Sequence, residues 1–288
     1  LERAEVAHNR AQHDAGGIML MSFGTLTIVD SDLHHNHASY GGAVYAAGGV
    51  VRVQALTRSC GMHANSAAYG GGIYARDSTR ITCEGAPPYV LTLGANTAET
   101  NGGWLYASTG VVATVAGNVL VEGNHAGVGG GALILTNCVL EVCASNGAAP
   151  IIYGNVADAA GGGLAALHTG SRIVLRGVGL MRNICNGPIS LLGGGALWAG
   201  PQSTVDASDC LFYENVSSNL GGAILVYGGA QRITLRSSFN TPPGLLPATQ
   251  FSGNSARTHG GALCVAGCDA LDIAGTLMLS NSAALSGG

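Results

Sequence analysis

One asparagine recurs about every 30 residues along the whole chain, and this spacing constrains the fold more than any other feature. The anchors are Asn9, Asn36, Asn65, Asn96, Asn124, Asn155, Asn183, Asn215, Asn254 and Asn281, at intervals of 27, 29, 31, 28, 31, 28, 32, 39 and 27 residues. Three positions before each stands an apolar residue: Val6, Leu33, Met62, Leu93, Val121, Ile152, Leu180, Phe212, Phe251 and Met278. Two positions after stands alanine in eight of the ten repeats, with Cys185 and Ser217 in the others. A glycine pair follows, from Gly16-Gly17 and Gly41-Gly42 through Gly71-Gly72 and Gly162-Gly163 to Gly287-Gly288. A period in this range marks a stacked-repeat architecture, in which one unit cannot bury its apolar face alone.

Within a unit the apolar residues alternate, as in Arg172-Ile173-Val174-Leu175-Arg176 and Arg232-Ile233-Thr234-Leu235-Arg236. Alternation of this kind gives a strand with one dry and one wet face. No window carries a capped 3.6-residue period, so helices are not expected. The expected fold is all-β, a right-handed parallel β-helix (β-solenoid) of about ten coils with three short strands each. Residues 1–288 would form a single β-helix domain, a segment of a longer array. Insertions break its period near 185–193 and 238–249, the second around Asn240-Thr241-Pro242-Pro243-Gly244. Stacked asparagine amides carry donors and acceptors and can bond along an inward column. Asparagine also tolerates the left-handed backbone of a sharp turn, and glycine permits positive φ or close approach. At about 4.8 Å per coil the rod would be about 48 Å long.

Composition excludes several functions. The 288 residues hold 47 glycines and only 10% charged residues, with a formal net charge of −4 and 12 basic residues, all arginine. Such a surface does not attract a phosphate backbone, and 5% aromatics are too few for base stacking, so nucleic acid is not an expected partner. No apolar run is long enough for a membrane-spanning helix. The mean hydropathy of +0.32 fits a long dry interior.

The G-G-A-Φ segments, among them Gly41-Gly42-Ala43-Val44 and Gly221-Gly222-Ala223-Ile224, alternate with Phe-x-x-Asn, literal at Phe212–Asn215 and Phe251–Asn254. This combination resembles the repeats of chlamydial-type polymorphic outer membrane proteins and related right-handed β-helix repeats of large surface proteins, including algal ones. The resemblance implies an extracellular or cell-surface β-helix, serving adhesion or building an extracellular structure. The expected function is therefore that of a noncatalytic surface rod, in a filament or appendage or as an adhesin passenger. Its expected partners are neighbouring repeats or copies end to end, and glycans or other surface proteins.

The alternative is a pectate-lyase-like enzyme acting on polysaccharide, or a glycan-binding module. An enzyme would need clustered carboxylates. The candidate pairs Asp30/Asp32, Asp206/Asp209 and Asp269/Asp272 lie in different coils, and the Arg172/Arg176 and Arg232/Arg236 pairs flank solvent faces. No catalytic residue and no cofactor is expected. His34-His35-Asn36-His37 is the most metal-like stretch. If extended, it would point His35 and His37 out together, and His8 could stack on His35. A polar surface patch is the favoured reading, so no metal is expected. Eight cysteines permit bridges; Cys264/Cys268 and Cys138/Cys143 would need a turn between them, and Cys185 with Cys210, about one coil apart, are candidate neighbours for a disulfide.

Overall fold

In the computed structural model, residues 1–168, 170–187, 192–230, 232–238 and 248–288 are described. The core of the expected insertions, at 188–191 and 239–247, lies outside the described residues. The chain winds as a parallel β-solenoid of one ten-stranded sheet and three nine-stranded sheets, in each of which every strand pairs with its counterpart one coil away. Among the described residues there is no helix.

Each coil from the second to the ninth therefore contributes four strands, not three. In the second coil they are Asp32–His34, His37–Tyr40, Val44–Ala47 and Val50–Ala55, which we assign to sheets 1 to 4 in that order. The additional strand is the short one directly after the asparagine. In later coils it shrinks to two residues, as at His125–Ala126 and Val156–Ala157, which is too short to show alternation in sequence.

Register follows the repeat. In sheet 1 the apolar slot forms one column from Val6 through Leu33, Met62, Leu93, Val121, Ile152, Leu180, Phe212 and Phe251 to Met278. Phe212 and Phe251 lie face to face at 4.5 Å, both fully buried. Sheet 4 turns the alternate residues of each strand inward, such as Val51 and Val53, Ile173 and Leu175, and Ile233 and Leu235. At about 25 cal/mol per Å² of apolar surface removed from water, these columns supply most of the driving force.

Asparagine closes the corner between sheets 1 and 2. Asn36 through Asn254 are at most 1% exposed. Each Oδ1 accepts two hydrogen bonds from the preceding coil's asparagine, one from its backbone N–H and one from its Nδ2, at 2.8–3.1 Å. The second Nδ2 hydrogen goes to the carbonyl of the apolar slot one coil back, as from Asn36 to Val6 and from Asn155 to Val121. The left-handed residue of this corner is not the asparagine. It is the residue before it, with positive φ in all ten coils from His8 to Ser280.

The glycine pair divides into two roles. Its first position is left-handed throughout, from Gly41 (φ 67°) to Gly287 (φ 74°). At Gly16-Gly17, Gly71-Gly72 and Gly162-Gly163 the true pair begins one residue earlier, at Ala15, Gly70 and Gly161. The second position has no room for a side chain. A Cβ at Gly131 would lie 2.0 Å from the Gly162 carbonyl, and the same contact recurs from Gly16 to Gly222 at 2.0–2.4 Å. The next slot holds a small residue in most coils. Trp104 enters it beside Gly72, where a Cβ would meet the indole at 2.7 Å.

Removing one amide from mid-column should leave Asn124 N–H and Nδ2 and the Val121 carbonyl unpaired inside the protein. Asn155→Ala is expected to cost about 3–5 kcal/mol in urea unfolding, since each buried unpaired group costs about 1–3 kcal/mol. Exposed Asn9→Ala should cost under about 1 kcal/mol. Gly131→Ala should unfold the protein, whereas Gly154→Ala, left-handed but with nothing within 4 Å of a Cβ, should cost only about 1–2 kcal/mol.

Candidate functional site

A side chain repeated at one slot becomes a column along the rod, and outside the core the first coils carry two such arrays. The first is built on the corner before the ladder. His8 and His35 both occupy the left-handed slot preceding an asparagine (φ 58° and 54°), which brings their rings face to face, with centroids 5.0 Å apart and 16° between planes. One slot earlier, His34 stacks on His63 of the next coil at 5.1 Å. The two columns touch. His34 Nδ1 lies 2.9 Å from His35 Nδ1, and His34 Nε2 lies 2.9 Å from Glu5 Oε1. One ring nitrogen from each of His8, His34 and His35 falls within 4.8 Å of the others. Burial holds the His63 imidazole below its ordinary pKa, helped by the neighbouring His34.

His37 is not part of this group. It lies across the corner in sheet 2, with Nδ1 2.9 Å from Ser66 Oγ. Alternation fails between His35 and His37 because Asn36 is a turn rather than a strand residue, so the extended-strand expectation that joined them is corrected. The group that converges takes in His8 and His34 instead.

The second array consists of tyrosines. Tyr40 stacks on Tyr69 in sheet 2, and Tyr45, Tyr74 and Tyr106 stack in sheet 3, at 5.1–5.5 Å and within 8° of parallel. Edge contacts from Tyr40 to Tyr74 and from Tyr69 to Tyr106 join the two columns. Strand periodicity does not mark these residues, but equal offsets from the asparagine and from the glycine pair would have found them. The rings are half-buried, Tyr45 fully so, and the Arg76 guanidinium lies over the Tyr45 ring at 5.8 Å.

The candidate carboxylates serve turns and ion pairs. Asp30 and Asp209 both sit at left-handed corners (φ 49° and 55°) and accept hydrogen bonds from the next coil. Asp30 takes them from the amides of Leu56 and Thr57 and from the Thr57 hydroxyl, and Asp209 from the amide and hydroxyl of Ser238. Asp32 pairs with Arg58, Asp272 with Arg236, and Asp206 lies 3.8 Å from Arg176. Asp269 is exposed. Burial alone would raise the Asp30 carboxyl, but its hydrogen bonds outweigh this and hold it down at about 2.

All eight cysteines are free thiols. The expected Cys185–Cys210 bridge is not formed. Cys185 faces inward from sheet 2 and donates to the Ala159 carbonyl, while Cys210 occupies the core beside sheet 1 and donates to the Ser208 carbonyl. Neighbouring coils in sequence are not enough, because the two thiols stand on different sides of the cross-section. Burial pushes Cys83 and Cys210 up to about 12.

The Phe-x-x-Asn and glycine-pair elements are thus successive walls of one coil, and a family model recognises them. The model of the Chlamydia polymorphic membrane protein repeat matches residues 209–227 and 248–266. The chain resembles that repeat. The two matched stretches each run from the turn before a Phe-x-x-Asn through the ladder corner into the strand of sheet 3. No curated protein and no solved structure matches the chain. Among the described residues no helix is long and apolar enough to cross a membrane.

The Asp30 corner should set part of the acid limb of stability. A carboxyl held below its ordinary 3.8 contributes stability that is fully present above that value and is lost as pH falls through about 2. Unfolding free energy measured against pH should therefore decline over this window, and Asp30→Asn should flatten that decline while lowering stability at neutral pH. In native protein, thiol reagents should modify Cys143 and Cys264 before Cys83 and Cys210, which should react only on unfolding.

Proposed function

We propose that the chain is a noncatalytic β-helical rod exposed at the cell surface, acting in a filament or appendage or as the passenger of an adhesin. The observation that carries this reading is the asparagine column, continuous from Asn9 to Asn281, which ties every coil to the next. A column of this kind makes one stiff element that holds surface side chains at fixed spacing along its length. The match to a repeat of a membrane protein family supports a surface location. The carboxylates that an enzyme would need to cluster are engaged in corner hydrogen bonds and exposed ion pairs spread over separate coils.

Binding of acidic glycans is a second reading with an observation of its own. On sheet 4, Arg172, Arg232 and Arg236 line a shallow groove around Thr204, Asp206 and Thr234. Arg236 is paired with Asp272, which leaves Arg172 and Arg232 as the groups on which retention of an acidic polysaccharide would depend.

Antibody against residues 1–288 should label intact, unpermeabilised source cells, and label confined to the cytoplasm would overturn the surface assignment. Incubation with polygalacturonate should release no unsaturated oligosaccharide, and turnover would restore the enzyme reading. If the groove binds, Arg172→Ala with Arg232→Ala should abolish retention on an acidic polysaccharide column at low salt.

A further inference from the structure

The histidine group at the first two ladder corners has the features of a metal site. We propose that His8, His34 and His35 bind one divalent transition ion of the zinc type, with Glu5 as the outer carboxylate that orients His34. The argument begins with protons. A carboxylate only accepts, so the 2.9 Å contact between Glu5 Oε1 and His34 Nε2 requires the proton on Nε2. In the neutral ring this leaves Nδ1 as a bare lone pair aimed at His35 Nδ1, 2.9 Å away. The contact is satisfied either by the Nδ1–H tautomer of His35, which then donates to this lone pair, or by a cation held between the two nitrogens in place of that proton. A carboxylate–histidine pair that fixes the tautomer is the usual outer shell of a zinc-bound imidazole.

The third ligand is placed by the repeat. His8 and His35 stack because both occupy the same left-handed slot one coil apart. The three ring nitrogens lie within 4.8 Å of one another, and ligands of a tetrahedral zinc centre with bonds of about 2.0–2.1 Å stand about 3.3 Å apart. His8 and His35 are exposed, so their rings have room to turn out of the stack, the motion that binding a common ion would require. Three neutral imidazoles select zinc, copper or nickel over calcium and magnesium, which require oxygen ligands. His8 and His35 are exposed, so solvent fills the remaining position. Arg58 and Arg3 are the nearby positive charges, and Arg58 is neutralised by Asp32.

The test uses the untagged chain of 288 residues, titrated with zinc by calorimetry and with cobalt by visible absorption. One zinc per chain and the intense ligand-field bands of four-coordinate cobalt are expected. His8→Ala, His34→Ala and His35→Ala should each weaken binding at least tenfold, and Glu5→Gln by about tenfold. His37→Ala, across the corner, should bind as the parent does. Proton resonances of the parent supply a readout independent of variant folding: zinc should shift the imidazole signals of His8, His34 and His35 and leave that of His37, across the corner, in place. Absence of saturable zinc binding, or binding that persists in the triple alanine variant, would overturn the proposal.

Discussion

The structure depends on amide groups that are each satisfied by the coil above and the coil below. An asparagine side chain has two donors and two acceptor sites, and inside this column all four are used. Oδ1 takes both bonds from one neighbouring asparagine, while Nδ2 divides its hydrogens between the other neighbour and the carbonyl of the apolar slot. Because partners come only from adjacent coils, a coil out of register would leave buried donors on both sides of it. The column therefore fixes the position of every coil at one corner and leaves the rest of the circuit free to vary. Intervals from 27 to 39 residues are accommodated on that basis, with the additional residues outside the corner.

The same corner explains a local cost. The residue before each asparagine is left-handed in all ten coils, and seven of the ten, His8, His35, Ala64, Ala95, Arg182, Glu214 and Ser280, are not glycine although glycine would be easier there. Each costs roughly 1–2 kcal/mol against a glycine backbone. The hydrogen bonds of the following amide offset that cost, so the slot need not be glycine and can carry chemistry. The glycine column works by exclusion instead. Its second member faces a carbonyl of the next coil at a distance no Cβ tolerates, so this position can hold nothing but glycine.

These two columns explain which parts of the molecule were legible in the sequence. The asparagine and glycine slots admit so few residue types that they recur visibly, and the parallel architecture and its apolar column follow from their spacing. The fourth strand was not legible, because two residues such as Val156-Ala157 cannot alternate. Nor was the register at Gly70-Gly71-Gly72, where three glycines conceal which one is left-handed. The histidines were only half legible. His8 and His35 share a slot and stack, but grouping His35 with His37 requires an extended chain where Asn36 makes a corner. The Cys185–Cys210 pairing failed for a related reason, since distance along the chain says nothing about the side of the cross-section.

Surface chemistry in such a rod is best read by slot, across coils, rather than along the strand. A side chain that would be solitary on a globular surface finds a second copy at the strand spacing of about 4.8 Å whenever the next coil repeats it. Two coils suffice to bring His8 onto His35, and three to stack Tyr45, Tyr74 and Tyr106. The variable slots beside the two invariant columns are thus where binding properties can change without cost to the fold. His8 and His35 occupy the corner slot that Ala64, Ala95 and Gly123 fill in the following coils, all with the same left-handed backbone. The scaffold at that corner is the same in each case, and only the identity of one side chain per coil separates a bare turn from a cluster of imidazoles.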